Sequence, residues 1–196
     1  MRKTKKDTEE TIHKLEEVAR HHFTTFGFAD SSLEEIAKDA EVTRGAVYHH
    51  FGSKKGLFRA VLSLVQSEVA QRLEEEASLS DDLWEQLCLG CRAFVTVAIE
   101  PQNRRIMLID GPAVLGWEEW RLLDEQQSMK LLLEQLETMQ QQGYLKGVRL
   151  DAATHLLSGA MNEAALWLAQ ISDTAEAAEA MEECLQTLRK LLDGLR

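Results

Sequence analysis

Residues 32–58, SLEEIAKDAEVTRGAVYHHFGSKKGLF, constrain this chain more than any other stretch, because their punctuation spells out two short helices meeting at a tight turn, with a third helix behind them. Ser32 is placed to cap the first helix, and Glu35 three positions on completes a capping box. Ile36, Ala37 and Ala40 make its buried stripe, and the small Ala37 lets the next helix cross closely. Glu41-Val42 forms the turn, with Val42 as its apolar plug. Thr43 is a good cap for a helix from Arg44 to about Phe51. On that helix Val47 and Phe51 fall four apart and face inward, which leaves Arg44, Gly45, Tyr48, His49 and His50 looking out. Ser53 caps the following helix and puts Lys54 and Lys55 in its first turn.

This is the layout of a helix-turn-helix that lays its second helix in the major groove of DNA. Arg44 can fork onto O6 and N7 of a guanine. Gly45 lets the backbone approach base edges, and Tyr48 can bond a phosphate or pack on a thymine methyl. The free N–H groups at the helix start favour an anion. Lysines suit helix C-termini better than N-termini, so Lys54 and Lys55 point to an external partner that carries negative charge. The competing reading is a small helical corner with a few exposed polar residues.

The stretch from about Thr11 to Leu64 resembles the tetracycline-repressor (TetR) family. The match is carried by Phe26-Gly27-Phe28, Ile36-Ala37, Val42-Thr43, the run Val47-Tyr48-His49-His50-Phe51, and Ser53-Lys54-Lys55 with Leu57-Phe58. The resemblance implies a three-helix DNA-binding head on an all-helical ligand-binding body, working as a homodimer on a double-stranded operator. It implies that Arg44, Gly45, Tyr48 and His49 face bases or sugars, and that Ser32, Thr43, His50 and Lys54 face phosphates. It covers about the first third of the chain; beyond about residue 75 it lies in helix layout and names no ligand.

Charge agrees with that division. The 196 residues carry a formal net charge of −11. Residues 1–60 hold 11 Lys/Arg against 10 Asp/Glu, a net of +1, and the remainder holds 11 against 23, a net of −12. An acidic body repels phosphate and helps point the head at DNA; it argues against wrapping DNA or coating a membrane. The start, MRKTKKDTEE, lacks the apolar core of a signal peptide. No apolar run approaches the ~20 residues of a membrane span, and three cysteines without a framework suit a reducing cytoplasm. Two prolines and long 3.6-period stretches predict an all-α protein of about nine helices.

The expected organisation is a head at 1–56, a fourth helix at 53–77 as its only link to the rest, and an effector-binding and dimerisation body at 78–196. Residues 1–6 read as a basic arm. Asp7 with Glu10 caps a first helix that buries Ile12, Leu15, Ala19, Phe23 and Phe26 and stops at Gly27. Asp82 caps a helix to about Ile99, Asn103–Ile109 is a short helix, and Asp110-Gly111-Pro112 is a turn. Trp117 to Gln142 reads as one long helix. Asp151 caps a helix to Ile171, and Asp173 with Glu176 caps the last, to about Leu192. These last two helices, 151–171 and 174–192, are apolar around more of their circumference than one core needs. They are the expected dimer surface, four helices pairing as a bundle.

Candidate liners of a ligand site are Phe94, Met107, Trp117, Trp120, Met129, Met161 and Trp167. Asn162, His155, Arg104 and Arg105 are candidate polar anchors. Sites for small molecules are mostly apolar with a few placed polar groups, though Met and Trp at helical spacing also suit a plain core. The expected effector is small and largely apolar, and it releases a repressor from a palindromic operator. Cys88-x-x-Cys91 lacks the second pair a zinc site needs, and adjacent histidines on a helix point about 100° apart, so no metal or other cofactor is expected. There is no H-E-x-x-H, phosphate-cradling glycine loop or nucleophile elbow, and an enzyme is not expected. Two alternatives stay open: a DNA-binding dimer that answers to a protein partner, and a thiol or metal sensor built on Cys88 and Cys91.

Overall fold

Every regular element among the described residues is helical, as the periodicity predicts. The computed structural model describes the backbone of residues 5–195 and the side chains of 8–173 and 175–195. Of the basic arm expected at 1–6, residues 1–4 lie outside the described residues, as does the Asp7 side chain; α1 already runs at Lys5, ahead of the expected Asp7 cap. The chain packs as two units: one of residues up to 65 with 101–120, the other of 66–100 with 121–196. The chain therefore passes between units at 65/66, 100/101 and 120/121, where a single link had been expected.

The first unit is built on α1 (Lys5–Asp30), α2 (Leu33–Asp39), α3 (Arg44–Phe51) and the first half of α4 (Lys54–Ala77). Leu15 and Phe23 of α1, Ile36 of α2, Val47 of α3, and Leu57, Phe58 and Val61 of α4 are all fully buried. The rings of Phe23 and Phe28 lie 5.2 and 5.3 Å from that of Phe58, both edge-on. Such aromatic pairs add about 0.5–1.5 kcal/mol to their area burial. His22 Nε2 lies 2.8 Å from Asp39 Oδ2 and ties α1 to the end of α2. α1 does not stop at Gly27 but bends there, with φ 83° and ψ 171°. The bend turns Phe26 out of the core; it is 50% exposed and packs on the His22 ring at 5.6 Å instead of lying inward as expected.

The rest of this unit is a run of short helices: α6 (Pro101–Arg104), a π-helix (Arg105–Asp110), α7 (Gly111–Leu115) and the start of α8 (Trp117–Glu125). The expected turn at Asp110-Gly111-Pro112 is thus helical. Trp120 explains it: the buried indole N–H donates to the Met107 carbonyl at 2.7 Å, which holds the wide turn in place. Gly111 makes room, since a Cβ there would stand 2.8 Å from the indole Cδ1 and 2.9 Å from the Ile106 carbonyl oxygen.

In the second unit, α10 (Leu150–Leu168) lies against both α5 (Leu83–Ala98) and α9 (Ser128–Gln141), and α11 (Thr174–Asp193) lies against α5 and α10. The α5 cap forms as expected, with Asp82 accepting from the Glu85 N–H at 2.8 Å. So does the α11 cap, with Asp173 accepting from the N–H groups of Ala175 and Glu176. Two expectations fail. Asp151 does not cap α10; Arg149 holds the cap position without a side-chain bond, and Asp151 pairs with it at 3.3 Å. The single helix expected over 117–142 is broken at Gln126-Gln127, where Gln127 has φ −125° and ψ −108°. No glycine or proline marks that break.

Candidate nucleic-acid interface and cavity

α3 presents two faces of opposite character. Thr43, in extended backbone, accepts from the Ala46 N–H at 3.2 Å and starts the helix; Gly52 at φ 72° ends it. Val47 is fully buried and Phe51 half-buried, while Arg44, Gly45, Tyr48 and His49 are exposed, as the spacing predicts. Val42, expected as a buried plug, is half-buried. A Cβ on Gly45 would meet only Thr43 Oγ1, at 3.8 Å. Nothing in the protein requires a glycine there, although one inside a helix costs about 1 kcal/mol. The His49 and His50 rings lie 5.1 Å apart at 70°.

Arg44 is held within the protein. Its Nη2 donates to Tyr48 Oη at 3.2 Å, its guanidinium carbon lies 5.4 Å from the Tyr48 ring centre, and it forms an ion pair with Glu34. Both the Tyr48 bond and Glu34 push the Arg44 pKa up. The Glu34 carboxyl is held below its usual range, first by its own backbone N–H and then by the Ser32 hydroxyl. Ser32 caps α2 through the Glu34 N–H at 3.2 Å and donates to the Glu34 carboxylate at 3.0 Å. The side chain that meets the Ser32 cap is Glu34, not the expected Glu35, and the same carboxylate pairs with Arg44. The sequence reading missed Glu34.

The two lysines of α4 both make contacts inside the first unit, but of the two only Lys55 meets a carboxylate among the described residues. Ser53 caps this helix as expected, accepting from the Gly56 N–H at 3.0 Å. Lys54 Nζ donates to the Ala29 carbonyl at 3.1 Å and sits 4.5 Å over the Phe28 ring. Lys55 donates to the Leu115 carbonyl and pairs with Glu119, both at 3.3 Å, and Arg59 meets the same carboxylate at 3.0 Å. Lys55, expected to seek phosphate, is thus taken up by the segment at 101–120, whose packing on the head was not legible locally.

The second unit contains a cavity of about 380 Å³. Of the expected liners it receives Phe94, Met129 and Met161. Asn162 and Trp167 do not line it; Trp167 is 47% exposed on α10. Met107 and Trp120 are core of the first unit, their place set by the indole bond described above, and Trp117 is 66% exposed with its ring 5.1 Å from that of Trp120. Arg104 and Arg105 also belong to the first unit. His155 meets Arg121 through Nδ1 at 3.1 Å. The unmarked break between α8 and α9 matters here, because Asp124 and Ser128 flank it and both reach the cavity. Asp124 accepts from Arg121 at 2.9 Å, and the same guanidinium donates to Ser158 Oγ at 3.1 Å. Burial raises the Asp124 pKa, and Arg121 pulls it back. The Ser128 hydroxyl is buried with no partner.

Burial pushes the Cys88 thiol up to about 11 and the Cys91 thiol up to about 12. A thiol that stays protonated is a poor nucleophile and a poor metal ligand, which weakens the sensor alternative. No group of three or more His, Cys, Asp or Glu able to hold a metal exists among the described residues. None of their helices is long and apolar enough to cross a membrane.

Residues 16–61 match the model described as bacterial regulatory proteins, tetR family, and residues 84–195 match that of the tetracyclin repressor-like C-terminal domain. The chain is 42% identical over 82 residues to the HTH-type transcriptional regulator AcrR of Shigella flexneri, covering 41% of this chain and 38% of that protein. It is 44% identical over 110 residues to the HTH-type transcriptional regulator SrpR of Pseudomonas putida, covering 56% and 51%. The matched stretch thus spans about half or less of these curated relatives. The crystal structure of a TetR-family transcriptional regulator from Pectobacterium atrosepticum is similar over 98% of this chain and 97% of that one, at 34% identity and a TM-score of 0.80.

Proposed function

The chain belongs to the tetracycline-repressor (TetR) family of DNA-binding transcriptional regulators, and from that footing we propose that it is a repressor. It grips a palindromic operator as a homodimer and lets go when a small, largely apolar molecule fills the cavity. One observation carries the DNA reading: the outer face of α3 is Arg44, Gly45, Tyr48 and His49, with a glycine that the fold does not need at the point where a base edge must come close. Arg44 reads a guanine through its fork, and Tyr48 and His49 contact neighbouring bases or sugars. Ser32, Thr43, His50 and Lys54 take phosphates; Lys55 holds Glu119 instead.

The dimer forms through α10 and α11. Two-fold symmetry then sets two α3 helices about 34 Å apart, one turn of duplex. An occupant of the cavity bears on Leu73 and Ala77 of α4, the helix whose first half belongs to the DNA-binding unit. The route from occupant to head thus needs no element beyond α4 itself.

Selection of duplexes from a random pool at low ionic strength tests the proposal. The expected product is an inverted repeat with half-site centres one helical turn, or a whole number of turns, apart. A purified dimer that enriches no sequence overturns it.

A further inference from the structure

We propose that two copies of the chain pair through α10 only while His155 is uncharged, so that one proton taken up per protomer loosens the dimer. This deepens the reading of α10 and α11 as the dimer surface and rests on it. His155 is exposed at the edge of the outer face of α10, beside Leu156 and one turn before the exposed Gly159. A Cβ on Gly159 meets nothing within 4 Å, so a partner helix can come close there. Residues four apart on a helix are neighbours, and a helix seated on Gly159 therefore also covers His155.

Arg121 dictates the state of the ring. Its Nη2 lies 3.1 Å from His155 Nδ1. A guanidinium only donates and keeps its charge. Nδ1 must therefore accept, which puts the single ring proton on Nε2 and leaves the ring neutral. Arg121 is held in place from the other side. Its side chain is 13% exposed, Nη1 donates to Asp124 Oδ2 at 2.9 Å and to Ser158 Oγ at 3.1 Å, and Nε lies 3.8 Å from Glu125. A proton on Nδ1 would set donor against donor and cation against cation. On α10 itself Asp151, one turn back, pairs with Arg149 at 3.3 Å, and Glu163 lies two turns on. α5, α9 and α11 also lie against α10. Among the described residues the only hydrogen bond or ion pair of His155 is the one to Arg121.

In a lone protomer the exposed ring escapes the conflict by swinging into water. Under a partner helix it has no water to reach, and a charged ring would be desolvated beside a fixed cation. Pairing thus disfavours the proton. Dimer stability that depends on the neutral ring is complete above the range where an imidazole titrates and is lost as pH falls through it. His155 is the only histidine after residue 50, so no other imidazole of the second unit responds in that range. The five in the first unit act with the opposite sign on DNA, because charging them attracts phosphate. Association of the copies, not operator affinity, is therefore the quantity to measure.

Sedimentation velocity of the full chain at micromolar concentration and constant ionic strength, from pH 8 to 5.5, tests the switch. The dissociation constant of the dimer is expected to rise by on the order of tenfold to a hundredfold between pH 7.5 and 5.5, with an unchanged helical spectrum. In His155→Asn an amide oxygen stands in for Nδ1, accepts from Arg121 and takes up no proton, so this variant should stay paired across the range. His155→Lys carries the charge permanently and should dissociate at pH 7.5 as the unaltered chain does at pH 5.5. Asp124, whose carboxyl is pushed up by burial, is the other group of this network able to take a proton. A His155→Asn protein that keeps the full pH response assigns it to Asp124 and overturns the proposal. So does a His155→Lys protein that pairs as tightly as the unaltered chain at pH 7.5. A dimer that ignores pH overturns the proposal and leaves the dimer reading standing, whereas a chain that is monomeric at every pH sinks that reading as well.

Discussion

Arg105 Nη2 donates to the Phe26 carbonyl at 3.0 Å, across the bend in α1. On the other side of the same bend the Phe28 N–H donates to Asp110 Oδ2 at 2.9 Å, and Arg105 Nε lies 3.7 Å from that oxygen. The non-helical Gly27 leaves a carbonyl and an N–H without helical partners. The first and last residues of the π-helix satisfy them, one with a cation and the other with an anion. The clip joins the segment at 101–120 to the helix that carries the base of the DNA-binding head.

Gly27→Ala is expected to lose stability from two sources. At φ 83° and ψ 171° an L side chain is strained, by about 1–3 kcal/mol. A Cβ there would also stand 2.1 Å from Arg105 Nη2. The guanidinium is the end of a flexible side chain and can move, but only by giving up its bond to Phe26, worth about 1 kcal/mol. Arg105→Ala alone loses that bond. The double variant should cost less than the sum of the singles, because both remove the same contact. Urea midpoints of the four proteins measure this, and strict additivity would show that Gly27 does not act through Arg105.

Glu34 pairs with Arg44, the proposed base-reading residue, so on that proposal Glu34→Gln is expected to tighten duplex binding severalfold at low salt. The gain should fade as salt rises, since exposed charges are screened within about 8–10 Å at physiological ionic strength. Arg44→Ala should weaken the selected operator by on the order of tenfold to a hundredfold and relax one base pair. Lys54→Ala should weaken all sequences and flatten the salt slope by about 1. Mobility-shift titrations across a salt series separate these effects. Weaker binding by Glu34→Gln would mean that Glu34 positions Arg44 for its base instead of withholding it.

What was legible in the chain was what is local. Thr43, Ser53, Asp82 and Asp173 cap the helices they announce, because a cap is read within three residues. Val47 and the stripe of Leu57, Phe58, Val61 and Leu62 follow from period alone. The unread features depend on partners far along the chain. Lys55 meets Glu119, Phe26 is turned out by a bend whose backbone is completed from 105 and 110, and Gly111 is needed by Trp120. The break at Gln126-Gln127 carries no glycine or proline, so nothing announces that Asp124 and Ser128 will flank a cavity. The aromatic and Met candidates divided accordingly: Phe94, Met129 and Met161 reach the cavity, and Met107 and Trp120 serve the core.

Thiol chemistry should follow burial. At pH 8 a thiol with a pKa of about 11 is ionised in about one molecule in a thousand, so Cys88 should react slowly with iodoacetamide. Cys91, pushed to about 12, should react only when the protein unfolds, and the half-buried Cys184 should react first. Folded thiols that hold protons more tightly than unfolded ones, whose value is 9.0, contribute stability that is complete below pH 9 and is lost as pH climbs towards 12. Cys91→Ala should therefore flatten the alkaline limb of the stability curve, whatever its packing cost at neutral pH. Peptide mapping after timed alkylation and urea midpoints from pH 7 to 10.5 check both; a Cys91 that alkylates ahead of Cys184 would revive the sensor alternative.

Leu156 and Trp167 stand eleven residues apart, three turns of α10, and so share a face; they are 73% and 47% exposed. Ala160 and Gly159 lie exposed between them, and a Cβ at Gly159 meets nothing within 4 Å. Leu191 of α11 is 60% exposed. Large apolar residues around small ones suit a second helix at close range, and each buried Leu contributes about 1.5–3 kcal/mol, counted once in each protomer. Leu156→Glu with Trp167→Glu is expected to convert the proposed dimer to a folded monomer, because 73% of Leu156 and 47% of Trp167 lie outside the protomer's own packing. Sedimentation velocity should show the halved mass with an unchanged helical spectrum. Operator affinity should fall by orders of magnitude, as two half-sites are no longer held by one particle. A dimer that survives both substitutions would move the interface to another face of the second unit.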